Sequence, residues 1–378
     1  MANNYECNLK VLSPVYIGSG NEYGASEYVS TKAKNKNGER FDIFKRINVS
    51  KYYLSLNDDE KDKFINDLST PNFRLADFDS KIPNKYRNYF TYNKCKNNPG
   101  PNQDIGEIIK TLNKAYIPGS SIKGAIKTAI LYNSVDFEDV KRVLGKINHS
   151  PKGSFLGRRE YEDFINSQFS SDNFRNAAQS SIMKFLNIFD SSDAKKVSVY
   201  DIFSVMATNP SGNKTYVRNR KTVISFLETI DVGNNLKFKL STNFDKDIYR
   251  TLRINDKKHL IDLDYIKESI YKFSKAYINH ELEFAEENSV SYLEKFYKKR
   301  EKLNTPDKPM LKIGGGSGFL ATTIGLKIKE HDDYNFDDYF EKVRSITKGK
   351  SYDYCFPKSR KVTFMGGYPL GWVQLSFN

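Results

Sequence analysis

Lys123 and Lys127 stand four residues apart just behind the turn Pro118-Gly119 in the stretch YIPGSSIKGAIKTAI, residues 116–130. On a helix that spacing places two ammonium groups on one face. Pro118 and Gly119 break the preceding strand. Ser120 or Ser121 then supplies an N-cap for a helix with Ile122, Ile126, Ala129 and Ile130 as its apolar stripe. First-turn amides have no intrahelical acceptors and the helix dipole is positive at that end, so an anion at the mouth meets free N–H groups and two lysines. The chemistry on offer is phosphate binding. A capped amphipathic helix with solvated lysines is the plainer reading of the same residues. Gly124 weighs against it, because a glycine inside a helix costs about 1 kcal/mol relative to alanine and is usually tolerated where a ligand or second backbone comes close.

A second phosphate-friendly stretch is Gly314-Gly315-Gly316-Ser317-Gly318, which follows an expected strand, Met310 to Ile313. Flexible glycines with free amides can lie flush along a sugar-phosphate backbone, with Lys312 beside them; a tight turn without a ligand is the alternative. Gly316 to Ala321 matches the form G-x-G-x-x-A of a dinucleotide fingerprint. However, long helix lies upstream and too few residues follow for a dinucleotide domain. Gly18-Ser19-Gly20 forms a third backbone-rich turn after an expected strand over Asn8 to Ile17. Lys214, Arg218, Arg220 and Lys221 add a charge cluster on a hairpin-like segment.

Catalytic constellations are missing from the pattern. His149, His259, His280 and His331 are scattered, with no H-E-x-x-H pair and no serine in G-x-S-x-G. The acidic runs Asp58-Asp59-Glu60 and Asp332-Asp333 through Asp337-Asp338 lack calcium-loop spacing and read as solvated faces. Cys7, Cys95 and Cys355 form neither a C-x-x-C pair nor a disulfide framework, which suits a reducing cytoplasm. No catalytic residue, metal or cofactor is expected.

Charge over the whole chain agrees with an anionic partner: 60 Lys+Arg against 46 Asp+Glu give a formal charge of +14. Aromatic residues make up 14%, nearly all Tyr and Phe, and those not in the core offer faces on which bases can stack. Nucleic acid is the leading partner class. The N-terminus has no apolar signal region and no run approaches a membrane span, so a soluble, cytoplasmic protein is expected.

The 378 residues suggest about two domains. Further expected elements are a hairpin tip over Lys32 to Arg40 returning through Phe41 to Ile47, a helix over Asp58 to Leu68, and a long surface loop from Lys81 to Asp104. Helices follow over Glu160 to Gln168 and Asn176 to Phe189, then a buried strand over Val197 to Ala207. A hairpin made of Thr222 to Ile230 and Leu236 to Leu240 turns at Asp231-Val232-Gly233-Asn234. Asp264 to Leu303 reads as two helices broken near Asn288 and Ser289, and the chain ends in a short helix from about Phe319 and segments around Lys361 to Phe364 and Trp372 to Phe377. The order suits an α+β fold with helices packed on one face of antiparallel sheets.

Taken together, LSPVYIGSG, YIPGSSIKGAIKTAIL, FLETIDVGNNLKFKL, KIGGGSGFLATTIG and GGYPLGWVQLSF resemble the RAMP superfamily of CRISPR-associated proteins, and within it the fifth-subunit family of type III-A Csm effector complexes. The resemblance spans nearly the whole chain and is least characteristic over residues 32–110. It implies an α+β fold of two RAMP modules, each ferredoxin-like (RRM-like) with inserted helices and loops, over 1–215 and, with the glycine-rich loop, 216–378. It also implies a non-catalytic subunit that binds crRNA, caps the filament at the crRNA 3′ end, abuts the backbone RAMP subunit and assists crRNA maturation and antiviral defence. Target RNA and host trimming nucleases are further partners in this reading. Gly18, Ser19, Gly20, Ser120, Ser121 and Lys123 would face RNA in the first module, and Gly314, Gly315, Gly316, Ser317 and Gly318 in the second. Lys127, Lys312, Arg218 and Arg220 join them from charge and position. The alternative is a metal-independent RAMP endoribonuclease that processes crRNA precursors with a His or Tyr base and lysines at the scissile phosphate.

Overall fold

Cys7, Leu9 and Val11 alternate along the first strand and are buried, as period-two patterning against a core requires. The computed structural model describes residues 2–136, 138–141, 162–171, 180–207, 223–330 and 357–378. The first sheet is antiparallel, in the order β13 (Met310–Lys312), β15 (Trp372–Phe377), β1 (Ala2–Val11), β12 (Asn235–Asn243) and β9 (Leu186–Ile188). Helix α4 (Gly119–Ser134) and helix α6 (Leu263–Glu287) pack against it. The stripe Ile122, Ile126, Ala129 and Ile130 is wholly buried in one core with Leu9, Val11, Ile270, Phe273 and Trp372. Burying side chains of this size contributes roughly 1.5–3 kcal/mol each.

The second sheet runs β2 (Gly18–Tyr23), β6 (Ile105–Ile108), β11 (Ser225–Ile230), β10 (Val197–Met206), β5 (Arg87–Asn93), β4 (Arg40–Ile47) and β3 (Tyr28–Lys34), and β14 (Ser359–Thr363) pairs with the far half of β10. Its β10–β5 and β11–β6 contacts are parallel. A short ladder joins β7 (Lys110–Thr111) to β8 (Lys114–Ala115). Both sheets draw strands from either side of residue 215. Helices α1 (Val49–Tyr53), α2 (Asp58–Leu68) and α3 (Leu75–Phe78) carry a separate apolar cluster built on Tyr52, Phe64, Leu75 and Ile82. An Asn57–Glu60 capping box starts α2 at the expected residue. Helix α5 (Lys246–Leu252) precedes α6, and α7 (Ser291–Leu303) follows it after a break at which Ser289 has φ +54°.

Several expected elements differ. The first strand stops at Val11, because the chain turns at Ser13-Pro14, where the Ser13 hydroxyl accepts from the Trp372 amide at 2.9 Å. Gly18-Ser19-Gly20 is the bulged start of β2 rather than a free turn. The long loop over residues 81–104 contains β5. Of the segment expected as a helix over 176–189, residues 176–179 lie outside the described set. The rest is a 3₁₀ turn, Ile182–Phe185, and β9, whose Leu186 and Ile188 lie opposite Thr242 and Leu240 of β12. β11 and β12 do not pair with each other. Their turn is held by neighbours instead: Ser198 and Tyr200 donate to the Asp231 carboxylate, and the Lys195 and Lys196 amides donate to Asn234 Oδ1. The chain thus crosses from one sheet to the other. The helix expected from Phe319 starts at Gly325 as α8 (Gly325–Lys329).

Candidate nucleic-acid interface

Lys312 ends β13, and the chain then folds over into the glycine loop. Gly314, Gly316 and Gly318 take φ values of +77°, +81° and +83°, which L side chains adopt only under strain. The Gly315 amide donates to the Tyr16 carbonyl at 2.7 Å, the Ser317 hydroxyl to the Gly314 carbonyl at 2.6 Å, and the Tyr277 hydroxyl to the Ser317 carbonyl at 3.1 Å. Ser317 faces inward, whereas Gly316 and Gly318 are exposed. The loop is therefore an anchored turn with open outer backbone.

Tyr16 ties this loop to the start of β2. A Cβ on Gly315 would come within 2.7 Å of the Tyr16 ring, and one on Gly18 within 2.7 Å of its hydroxyl. Burial, then Glu22 and Glu228, push that hydroxyl's pKa up, so it stays protonated. Sequence reasoning passed over Tyr16. The glycines that spare room for its ring were its only signal. Gly18, Ser19 and Gly20 themselves are exposed on the edge strand.

The mouth of α4 differs from the sequence expectation. Pro118 is the N-cap, and neither Ser120 nor Ser121 caps with its side chain. The first amide, Gly119, donates to Asp190 Oδ1 at 2.8 Å, so a carboxylate of the chain already takes the dipole end. What remains open is the flank. Ser120, Ser121, Gly124 and Thr128 face Lys312, Gly314, Ser317 and Thr322 across a groove of about 340 Å³. Helix mouth and glycine loop, far apart in sequence, thus share one concavity.

Lys312 forms part of its wall but is buried, with Nζ 3.3 Å from the Tyr277 hydroxyl. Burial lowers its pKa to about 8, against the pull of Glu281. Glu281 accepts from Arg360 Nε at 2.8 and 2.9 Å and from the Tyr297 hydroxyl at 3.1 Å. Burial would raise that carboxyl, but Arg360 and Lys312 outweigh it and hold it at about 2. Lys312, Arg360 and Glu281 place two cations and one anion beneath the loop. Of this buried set the sequence singled out Lys312 alone, because Glu281, Tyr297 and Arg360 lie far from it in sequence.

Lys123 and Lys127 are half-buried and line a different side of α4, with Lys127 Nζ 5.0 Å from the Phe169 ring centre. Burial lowers both pKa values, and Lys127 adds to the effect on Lys123. The expected open polar face is therefore partly covered. Lys214, Arg218, Arg220 and Lys221 lie outside the described residues, as do His149 and His331. His259 is exposed. His280 is buried, and burial followed by Lys329 brings its pKa to about 4. Neither lines the groove.

An antiparallel sheet backed by helices, a second, mixed sheet, and a positive-φ glycine loop set against a helix mouth define an α+β protein. The profile of the RAMP superfamily matches residues 8–320, and the chain belongs to that superfamily. The chain is similar to the CRISPR system Cms protein Csm5 of Methanocaldococcus jannaschii, with 25% identity over 411 aligned positions covering 98% of this chain and 88% of that protein. Its fold is similar to a chain in the cryo-EM structure of a Csm-crRNA-target RNA ternary complex of a type III-A CRISPR-Cas system, at TM-score 0.68 and 23% identity over 98% of this chain and 100% of that one. It is also similar to the crystal structure of T. onnurineus Csm5, at TM-score 0.63 and 22% identity over 97% and 99%. The α+β, RRM-like fold expected from the sequence is the one found.

Proposed function

We propose that this chain is the crRNA-binding subunit that caps a type III-A Csm filament at the crRNA 3′ end and does not itself cut RNA. The observation that carries the reading is the groove shared by the α4 mouth and the glycine loop. It offers exposed backbone and hydroxyls above the buried Lys312, with no histidine among its described lining residues, which suits holding a phosphate rather than cleaving at it. The likeness to Csm5 over nearly the full length supports the same reading. The partners are crRNA and the backbone RAMP subunit, with target RNA and host trimming nucleases engaging the assembled complex in the cytoplasm. In this reading the modules 1–215 and 216–378 each contribute one wall of the groove, and the interleaved strands fix the walls against each other.

The test is reconstitution. The chain added to backbone subunit and crRNA should join the filament end and protect the crRNA 3′ region, and incubation with repeat-containing RNA in EDTA should leave that RNA intact. Failure to join, or metal-independent cutting lost on changing one His or Tyr, would replace the capping reading with the nuclease one.

A further inference from the structure

Ser121, Ala125, Thr128 and Tyr132 fall along a single stripe of α4, since steps of four, three and four residues return to the same helical face. The first three line the groove at the glycine loop. Tyr132 lines a second concavity of about 540 Å³, where Asn133 joins it from α4, Lys272, Lys275 and Asn279 from α6, and Lys327 from α8. At 1.5 Å per residue, Ser121 and Tyr132 are separated by roughly 16 Å along the helix axis. On the opposite side, Thr322 lines the first groove and Lys327, five residues further along the chain, lines the second. The two concavities are thus successive stretches along one helix face.

Their chemistry is also consistent with one ligand. Lys327 Nζ lies 5.3 Å from the Tyr132 ring centre, and Lys272 is paired with Glu268 at 2.7 Å, while Lys275 is exposed. Glu330, the carboxylate among the described lining residues, is already taken by the Tyr132 hydroxyl. Among the described lining residues there are thus three lysines, of which Lys272 is paired with Glu268, two side-chain amides, and one carboxylate, which is engaged. Packing of α4 on α6 keeps this shape, through Asn133 Nδ2 donating to Ser269 at 3.0 Å and the Tyr132–Phe273 ring pair at 5.3 Å.

From this continuity we infer that the Lys272–Lys275–Lys327 concavity is a second backbone-binding stretch for single-stranded RNA, continuing the path that leaves the glycine loop. The inference rests on the RNA-binding reading above and adds residues to it. Lysines and amides without a base-shaped slot favour phosphates and ribose over base edges, so recognition here is sequence-tolerant.

The test compares full-length chain with Lys275→Glu plus Lys327→Glu, and with the milder Lys275→Gln plus Lys327→Gln in case charge reversal disturbs folding. Binding is read by fluorescence anisotropy on oligouridylates of about four and about twelve nucleotides, lengths within the usual range of single-strand sites. The expected result is a loss of about tenfold or more on the longer RNA with the shorter one unchanged, and a salt slope shallower by about 0.7 for each charge removed. Unchanged affinity for the longer RNA in both variants would overturn the inference while leaving the glycine-loop reading in place. Equal losses at both lengths would reveal a general field effect and overturn it too. Polyglutamate competing for the lysines where RNA does not would reassign the concavity to an acidic protein segment. Wild-type chain binding neither RNA would remove the underlying reading together with this one.

Discussion

The Gly315 amide donates a 2.7 Å hydrogen bond to the Tyr16 carbonyl oxygen, joining two segments almost three hundred residues apart in sequence. Gly314 closes the same contact from the other side, since a Cβ there would sit 2.2 Å from that oxygen. The glycine loop and the entry to β2 are one structural unit. A change that loosens either is transmitted to the groove wall.

The loop glycines should separate by role. Gly314→Ala combines positive φ with collision against backbone, and is expected to destabilise the chain by more than about 2 kcal/mol in urea melts. Gly318→Ala meets only the φ penalty, because the nearest atom to its Cβ would be 3.9 Å away, and should cost about 1–2 kcal/mol. Its larger effect should be on RNA retention, where a side chain keeps phosphates off exposed backbone. Equal melting losses for the two variants would show that the backbone contact at Tyr16 contributes little.

Lys312 predicts a particular pH dependence for binding. With its pKa near 8, its charge is present at neutral pH and is lost as pH rises through about 8, where ordinary surface lysines are still protonated. RNA affinity should fall between neutral and mildly alkaline pH in the wild type and become flat over that range in Lys312→Met. Stability runs the other way. The folded state holds this proton less tightly than the unfolded chain, so raising pH from about 8 to 10.5 relieves the burial cost and stabilises the fold. Opposite slopes for binding and melting are the signature to measure.

The lysines of α4 should matter less than their spacing suggested. Lys123 and Lys127 are half-buried and outside the groove lining, so replacing both with alanine should weaken RNA binding less than Lys312→Met does. Isothermal titration at fixed salt decides the order, and a larger loss in the double variant would move the RNA path to their side of the helix.

These differences show what the sequence carried. Local patterns fixed by short-range physics were legible: the span of α2 from Asp58 to Leu68, the stripe of α4, the break at Ser289 and the glycine loop. What escaped were partnerships made across the fold. Asp190 occupies the helix mouth from 71 residues away, and Asp231 and Asn234 turn an apparent hairpin into a crossing between sheets. Residue type alone does not say that Lys312 is buried, because only the assembled Tyr277–Glu281–Arg360 group makes burying it tolerable. The loop glycines and the start of α4 were each readable alone, whereas the groove that brings them together and its charge balance were not.

His280 should make the fold acid-sensitive above the carboxylate range. Lys329 Nζ lies 3.0 Å from Nδ1 and Arg360 a longer 3.4 Å from Nε2, with Glu281 buried alongside and Glu283 at 4.0 Å on the exposed side. Burial first, then the Lys329 charge, hold the imidazole neutral down to about pH 4, whereas in the unfolded chain it takes its proton near 6.5. The unfolded state therefore binds more protons across that interval, and stability is lost as pH falls from about 6.5 to about 4. The full shift corresponds to about 3 kcal/mol. Glu281 adds a second loss from about 4.5 downward, because its native carboxylate must then be protonated beside Arg360. His280→Gln keeps a polar group in place but cannot titrate. Urea midpoints for this variant should stay level through the upper interval and drop only once Glu281 begins to protonate. A wild-type midpoint that is already flat between about 6.5 and 4.5 would mean that the imidazole charges freely in the native state, and that the two flanking cations do not exclude its proton.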